Sequence, residues 1–417
     1  LHGLHTTGGE PVEVIDPGLH NFNAGPDFFN AKVKIGGTLW VGNVEIHDKS
    51  SDWFLHGHER DPHYNNTVLH VAGRVDCVVT TANGLQPPQV ELAVPDTVRH
   101  NYEELLRTET YPPCYKVIPQ LPRLKVRSWM SALETERLEC KTEDIRRRAR
   151  LCDGSWEGAY FVTIARNYGF GINGDAMEQW ALSVPLNDVG HHRDNAFQVE
   201  AFFMGQAGLL DTASMPERHR QAAIDDDYFQ RLQHEYAYLA HKFQLTPIDY
   251  RLWRFLRLRP QNFPHIRIAQ LVNLYCQRKT SLSLLVETGQ LDDIKDMLST
   301  QVTPYWETHY AFGCESAKSK KHLSASSINL LLINTVVPML FAYGRHKQDD
   351  KLCDRAFDIL EQLRAEDNTI VRTWSEIGLG VENAGDSQAL IQLKKEYCDR
   401  RECLRCRFGY EYLKQKE

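Results

Sequence analysis

The sequence lacks any stretch of about 20 consecutive apolar residues, the length a helix needs to cross a bilayer, so no membrane span is expected. The longest apolar run, Leu330 to Leu340, is broken by Asn334, Thr335 and Pro338 and reads as a buried helix. An excess of positive charge is also missing: 48 Lys and Arg stand against 55 Asp and Glu, a net charge of −7. Proteins that coat nucleic acid non-specifically are usually basic. That class is disfavoured, whereas an enzyme with a local basic groove is not. Low-complexity segments and a clear internal repeat are absent as well. Ten cysteines in 417 residues show no small-domain disulfide spacing, which points to reduced thiols and a cytoplasmic location. The chain opens at Leu1 rather than methionine, and the expectation is that residues precede it.

What is present is ordinary for a globular protein, with 42% hydrophobic and 25% charged residues. The length exceeds one simple core, so two or three domains are expected. Residues 10 to about 95 read as strands and turns. Val12–Ile15 is β-branched and stopped by Asp16-Pro17-Gly18. Phe28–Ile35 alternates, Gly36-Gly37 signals a hairpin, and Leu39–His47 returns. Ser50–His58 predicts a short helix with an N-cap serine, and Thr67–Val71 with Val75–Thr80 returns to strand. Prolines at 87, 88, 95, 112, 113 and 122 mark a linker-like zone. Beyond Val126, apolar residues recur at helical spacing in segment after segment, from Ser131–Arg150 to Ser387–Tyr397. The expected architecture is an α/β domain over 1–125 followed by a larger all-α domain over 126–417.

One polar constellation is dense. Asn23-Ala24-Gly25-Pro26-Asp27-Phe28 precedes the hairpin, and Val44-Glu45-Ile46-His47 closes it. Asp52, His56, His58, Asp61, His63, Tyr64, Asn65 and His70 follow. Carboxylates at the start of one strand and the end of its partner can share a divalent metal, which stabilises phosphoryl charge and activates water. A group two residues after the second carboxylate points the same way.

Pro26-Asp27, then Glu45-Ile46-His47, resembles the signature of the PD-(D/E)XK nuclease superfamily, with His47 where lysine is usual. That resemblance implies a restriction-endonuclease-like mixed sheet and a metal-dependent nuclease hydrolysing phosphodiester bonds. Asp27 and Glu45 would hold Mg²⁺ or Mn²⁺, and His47 would be the third catalytic group. A longer likeness covers nearly the whole chain. Gly25-Pro26-Asp27-Phe28-Phe29-Asn30-Ala31, Gly42 to His47, Ser51-Asp52-Trp53, His56-Gly57-His58, Tyr64-Asn65-Asn66, Arg259 to Pro264 and Cys403 to Cys406 are similar to an uncharacterised bacterial family, a domain of unknown function.

Strand parity cuts the other way. The apolar face of the first strand is odd-numbered and includes Asp27. Trp40, Val44 and Ile46 make the even face of the second strand apolar, with Glu45 and His47 opposite. A two-residue turn keeps the carboxylates on different faces, and a three-residue loop or a bulge at Gly42 brings them together. The plain alternative is that Asp27 caps a turn while Glu45 and His47 form a solvated strand face. The chain is then a non-catalytic helical scaffold with a degenerate first domain.

Two other groups have metal-binding chemistry. His56 and His58, with Asp61 or His47, offer a histidine-ligated site that would suit a metallohydrolase acting on a small molecule. On a helix, however, positions two apart diverge by about 200°. Cys398, Cys403 and Cys406 have spacing suited to zinc or an iron–sulfur cluster if Cys314, Cys353 or a histidine supplies a fourth ligand. Ordinary packed thiols and a redox pair are the alternatives. Arg251, Arg254, Arg257, Arg259 and Arg267 around Trp253, Phe255 and Phe263, and the run Arg146–Arg148 with Arg150, could follow a phosphate backbone. They could equally be solvated helix faces. Nucleic acid is the expected partner, and the helical domain offers a surface for a protein partner.

Overall fold

The alternating segments form one mixed sheet. A computed structural model describes residues 3–21 and 24–415, so Asn23 of the polar run lies outside the described residues. The strands are β1 (Leu4–His5), β2 (Pro11–Asp16), β3 (Leu19–His20), β4 (Phe28–Ile35), β5 (Thr38–Lys49), β6 (Thr67–Arg74) and β7 (Gln89–Glu91). Their order is β1-β2-β4-β5-β6-β7, with β3 paired to β4. Pairing is antiparallel as far as β5, and β6 and β7 then join in parallel. Thr6 bridges Val90, and the Thr7 N–H donates to Gln89 O at 2.8 Å. The two outer strands therefore meet, and no long unpaired edge is left between them. Val12, Ala31, Val33, Ile35, Val44, Leu69 and Val90 fill the interior.

The Gly36-Gly37 turn has two residues, pairing Ile35 with Thr38. The short helix α1 (Asp52–Leu55) links β5 to β6. Gly42 lets β6 approach: a Cβ there would meet Asn66 O at 2.6 Å and the Val68 Cγ1 at 2.4 Å. Val75–Thr80 is not a strand. Its carbonyls are satisfied by side chains, Cys77 O by Ser50 Oγ and Gln89 Nε2, and Thr80 O by Trp53 Nε1. Side-chain donors thus replace a ladder.

The chain divides into two compact units, Leu1–Glu109 with Phe408–Glu417, and Thr110–Arg407. The last residues belong to the first unit because the Asn101 amide donates to the carbonyls of Tyr412, Leu413 and Gln415. The second unit is mostly helical rather than all-helical, since His309–Ala311 pairs with Cys314–Glu315. Its helices include α2 (Arg123–Leu151), α3 (Trp156–Tyr168) and α4 (Gly174–Ser183). Trp180, Phe161, Phe202, Phe203 and Leu271 lie in one continuous apolar core. Among the described residues, Ala325–Lys347 has the length and apolarity of a membrane span, yet Leu332, Val336, Val337, Met339 and Leu340 are all fully buried in the core. A π-turn occupies Leu332–Val336. Pro338 has no N–H for the Asn334 carbonyl, which instead accepts from Asn167 Nδ2 at 3.0 Å.

Candidate metal centre

The site is built on the register of β4 against β5. Phe28 pairs with Val44, but Ala31 pairs with Gly42, so Phe29 and Asn30 face a single residue. This bulge, with Asn30 at φ 56°, sits on β4 beside Gly42 and restores the meeting that simple parity forbade. The Asp27 N–H donates to Glu45 Oε2 at 3.0 Å, and Asp27 Oδ2 accepts from the Ile46 N–H at 2.9 Å.

The parity of β5 departs from the expectation that apolar residues face inward at Trp40 and Ile46, although Val44 is buried as expected. Glu45 and His47 are buried, at 5% and 8% exposure, while Trp40 and Ile46 stand 48% and 47% exposed. The wall beyond Gly42 is polar because the neighbouring strand supplies a partner: His70 of β6 lies beside Glu45 in the parallel register.

Gly57 gathers the remaining histidines. His56 ends α1, Gly57 turns into the left-handed region at φ 75°, and His58 begins a 3-10 turn. The helical divergence expected for positions two apart does not apply, because the helix has already ended. The rings of His56 and His58 lie 5.5 Å apart, and each is within 5.3 Å of His47. Donor nitrogens of His47, His56 and His58 all lie within 4.8 Å of one another. Trp53 packs edge-on to His47, His58 and His70, and Tyr64 stacks on His58 at 3.8 Å.

A hydrogen-bonded chain backs the trio. His47 Nε2 faces His56 Nδ1 at 3.2 Å, His47 Nδ1 faces His70 Nε2 at 2.9 Å, and His70 Nδ1 faces the Gln89 amide at 3.3 Å. A metal on His47 Nε2 leaves that ring's proton on Nδ1, directed at His70. His70 then carries its own proton on Nδ1, and Gln89 would turn its amide oxygen towards it and give up its bond to Cys77 O, which still accepts from Ser50 Oγ.

The electrostatics are those of a site short of a cation. Burial pushes His58 and His70 down to about 4. Burial lowers His47 too, helped by His56. These imidazoles are therefore neutral near pH 7, the form that ligates metals. Burial and the Asp27 charge push Glu45 up to about 7. Its ion-pair neighbours are His58 Nε2 at 3.2 Å and His47 Nε2 at 3.6 Å, which burial keeps uncharged. His58 Nε2 is buried with no aligned hydrogen bond, despite its closeness to Glu45. An orphaned imidazole nitrogen beside an uncompensated carboxylate, with His56 exposed above it, fits a divalent ion.

Other predicted residues lie elsewhere. Asp61 caps its turn, accepting from the His63 N–H at 2.9 Å and facing His63 Nδ1 at 2.7 Å. The basic run is paired internally, with Arg147 and Arg148 on Glu178. Arg251 and Arg254 are not on a helix; Arg251 lies in a 3-10 turn and pairs with Asp249 at 2.6 Å. Arg267 is buried and bonded to Asn262 and Gln270. Cys398, Cys403 and Cys406 lie at the end of the second unit, away from Cys314, which faces His219 at 4.0 Å, and Cys353, which faces Phe341 O at 3.7 Å. The fourth cysteine near them is Cys114, which the sequence reading missed. Its one signal was its place in the proline-rich zone, with no partner of its own there.

No curated protein and no solved structure matches the chain. A family model described as a protein of unknown function (DUF2851) matches residues 1–369, which include the whole histidine site and end before the C-terminal cysteines. The chain therefore belongs to the DUF2851 family.

Proposed function

We propose that the first unit is a divalent-metal-dependent hydrolase, with His47, His56 and His58 holding the ion, Glu45 beside it, and a nucleic-acid phosphodiester as the bond cleaved. The observation that carries this reading is the trio of imidazoles within 4.8 Å of one another against a buried glutamate. Such a nitrogen-rich set suits Mn²⁺ or Zn²⁺ better than Mg²⁺, which prefers oxygen ligands. Bound, the ion would polarise the scissile phosphoryl oxygen and acidify water. Glu45 is positioned to take the proton of that water. Asp27 fixes Glu45 through its own N–H, and His70 orients His47 from behind. The phosphodiester part rests on the PD-(D/E)XK resemblance. It is supported by Asp27 and Glu45 meeting across a hairpin that a short helix joins to a parallel strand. A histidine-ligated hydrolase of small molecules would use the same trio.

The test is cleavage of single- and double-stranded DNA and RNA, and of a small chromogenic phosphodiester, with Mn²⁺, Zn²⁺, Mg²⁺ or chelator. Glu45→Ala is expected to lower metal-dependent cleavage by about 10²–10⁴-fold. Cleavage of the small ester alone would move the reading to the small-molecule hydrolase. Wild-type activity in the variant, or none on any substrate with metal bound, would overturn catalysis at this site.

A further inference from the structure

The second unit carries a separate group of cysteines. The helix Ala384–Gln392 runs on through a π-turn, Leu393–Cys398. The chain then reverses, with Arg401 at φ 58° and the Glu402 N–H donating to Tyr397 O at 2.8 Å. A 3-10 turn over Cys403–Arg405 follows, and the Cys406 N–H reaches Cys403 O at 3.3 Å. Cys403 and Cys406 are thereby brought onto one turn, 9% and 6% exposed. Cys114 arrives from far earlier in the chain, in a turn after Pro112-Pro113, and is 7% exposed. Tyr111, three residues before it, anchors that segment: its hydroxyl accepts from Trp374 Nε1 at 3.1 Å and hydrogen-bonds the Cys398 sulfur.

We propose that Cys114, Cys398, Cys403 and Cys406 form a tetrathiolate metal centre that holds an iron–sulfur cluster. All four are free of disulfides. One buried thiol is an ordinary small hydrophobe, but four converging from two distant segments, two of them on a C-x-x-C turn, form a ligand set. Burial raises the Cys114 thiol, and the charges of Cys406, Cys398 and Cys403 raise it further. Burial and Cys406 likewise push Cys398 up to about 12. Cys114, Cys398 and Cys403 therefore stay protonated until a cation arrives, and each thiol loses its proton to solvent on ligation.

Spacing bears on which metal binds. Among the described residues, the histidine trio is the group of three or more ligands found within 4.8 Å of one another. No three of the four sulfurs therefore lie within 4.8 Å of one another, whereas a zinc tetrathiolate with Zn–S near 2.3 Å has edges of about 3.8 Å. A cluster of iron and sulfide has a larger core and also takes four cysteines.

The experiment purifies the full chain without oxygen, reconstitutes it with iron and sulfide, and measures iron, zinc and acid-labile sulfide per chain. Wild type, Cys114→Ser and the control Cys353→Ser are compared. Iron and sulfide in equal amounts are expected in wild type and the control, with about a tenfold loss or more in Cys114→Ser. In wild type, maleimide labelling of the four cysteines is expected only after the metal is stripped, a readout that does not depend on the variant folding. One zinc per chain without sulfide would overturn the cluster. No sulfide and no zinc, full metal retention in Cys114→Ser, or free labelling of the four cysteines in the metal-loaded chain would overturn the centre.

Discussion

Two buried glutamates, one in each unit, have opposite fates. Glu178 of α4 is gripped by Arg147 at 2.6 Å, Arg148 at 3.1 Å and Arg166 at 3.0 Å. Burial alone would raise its pKa, but the Arg147 hydrogen bond and the charges of Arg148 and Arg166 win and lower it. Glu45 is buried to a similar depth among imidazoles that burial keeps neutral, and it is pushed up to about 7. At Glu178 the helical unit supplies the countercharge itself, so that ion-pair group serves the architecture. The sheet unit leaves its charge uncompensated and surrounds it with unprotonated nitrogens. That arrangement costs stability unless something positive arrives.

The contrast breaks most visibly at Glu178. Glu178→Gln leaves three guanidinium groups without their carboxylate, two of them partly exposed, and should cost about 3–5 kcal/mol in the unfolding of the helical unit. The depressed folded pKa sets the sign of the pH effect. The contribution of Glu178 is complete above the ordinary value of 4.5 and is lost as pH falls through the lower folded value. Urea melts at pH 7 and pH 3 should show the gap between wild type and variant narrowing in acid. A gap that is small at pH 7 would mean that the three arginines do without their partner.

The sheet unit should respond to a cation instead. Mn²⁺ is the probe, because thiolates favour softer metals and the cysteine group is then left aside. At about a hundred times its Kd it should add about 2.7 kcal/mol to the stability of the sheet unit, read by hydrogen exchange at β5 and β6. His47→Ala should remove the gain, and equal stabilisation of that variant would place the ion elsewhere.

Without metal, Glu45→Gln should stabilise the sheet unit at pH 8, on the order of 2 kcal/mol. The glutamine oxygen can still accept from the Asp27 N–H, and the uncompensated charge is gone. The sign follows from the raised pKa. Protonated Glu45 is tolerated below its ordinary value of 4.5, and the cost grows as pH rises towards about 7. The variant's advantage should therefore vanish by pH 4. Destabilisation at pH 8 would show that the carboxylate already has a cationic partner in the metal-free protein.

Much of the sheet was legible because alternation and turn chemistry are local. Phe28–Ile35 and the Gly36-Gly37 turn emerge as read. Legibility failed where burial and polarity part company. Ile46 looked inward and Glu45 outward because apolar residues usually fill a core, and β5 beyond Gly42 buries chemistry instead. Asp27 and Glu45 were visible as a pair, but the bulge that joins them depends on Asn30 adopting a left-handed backbone, which residue type alone does not announce. Cys114 is near the other cysteines only through the tertiary fold, and no spacing rule reaches that far.

The convergence of His56 and His58 was missed for the most local reason, the left-handed backbone of Gly57, and it yields the smallest and most specific test. A Cβ on Gly57 would meet nothing within 4 Å, so Gly57→Ala introduces no clash. Only the φ of 75° is penalised, by about 1 kcal/mol. If the loop holds its shape, melting should drop by that amount and metal affinity should be kept. If the strain is relieved by turning the peptide, His56 and His58 part, and Mn²⁺ affinity should fall by about tenfold or more while the helical unit is untouched. Gly57→Asn separates backbone from side chain, because asparagine tolerates the left-handed region better than alanine, and it should recover most of the loss. Mn²⁺ titrations of the three proteins decide the matter. Equal affinities with a lowered melting point would mean that the trio is held by Trp53 and Tyr64 packing rather than by the turn.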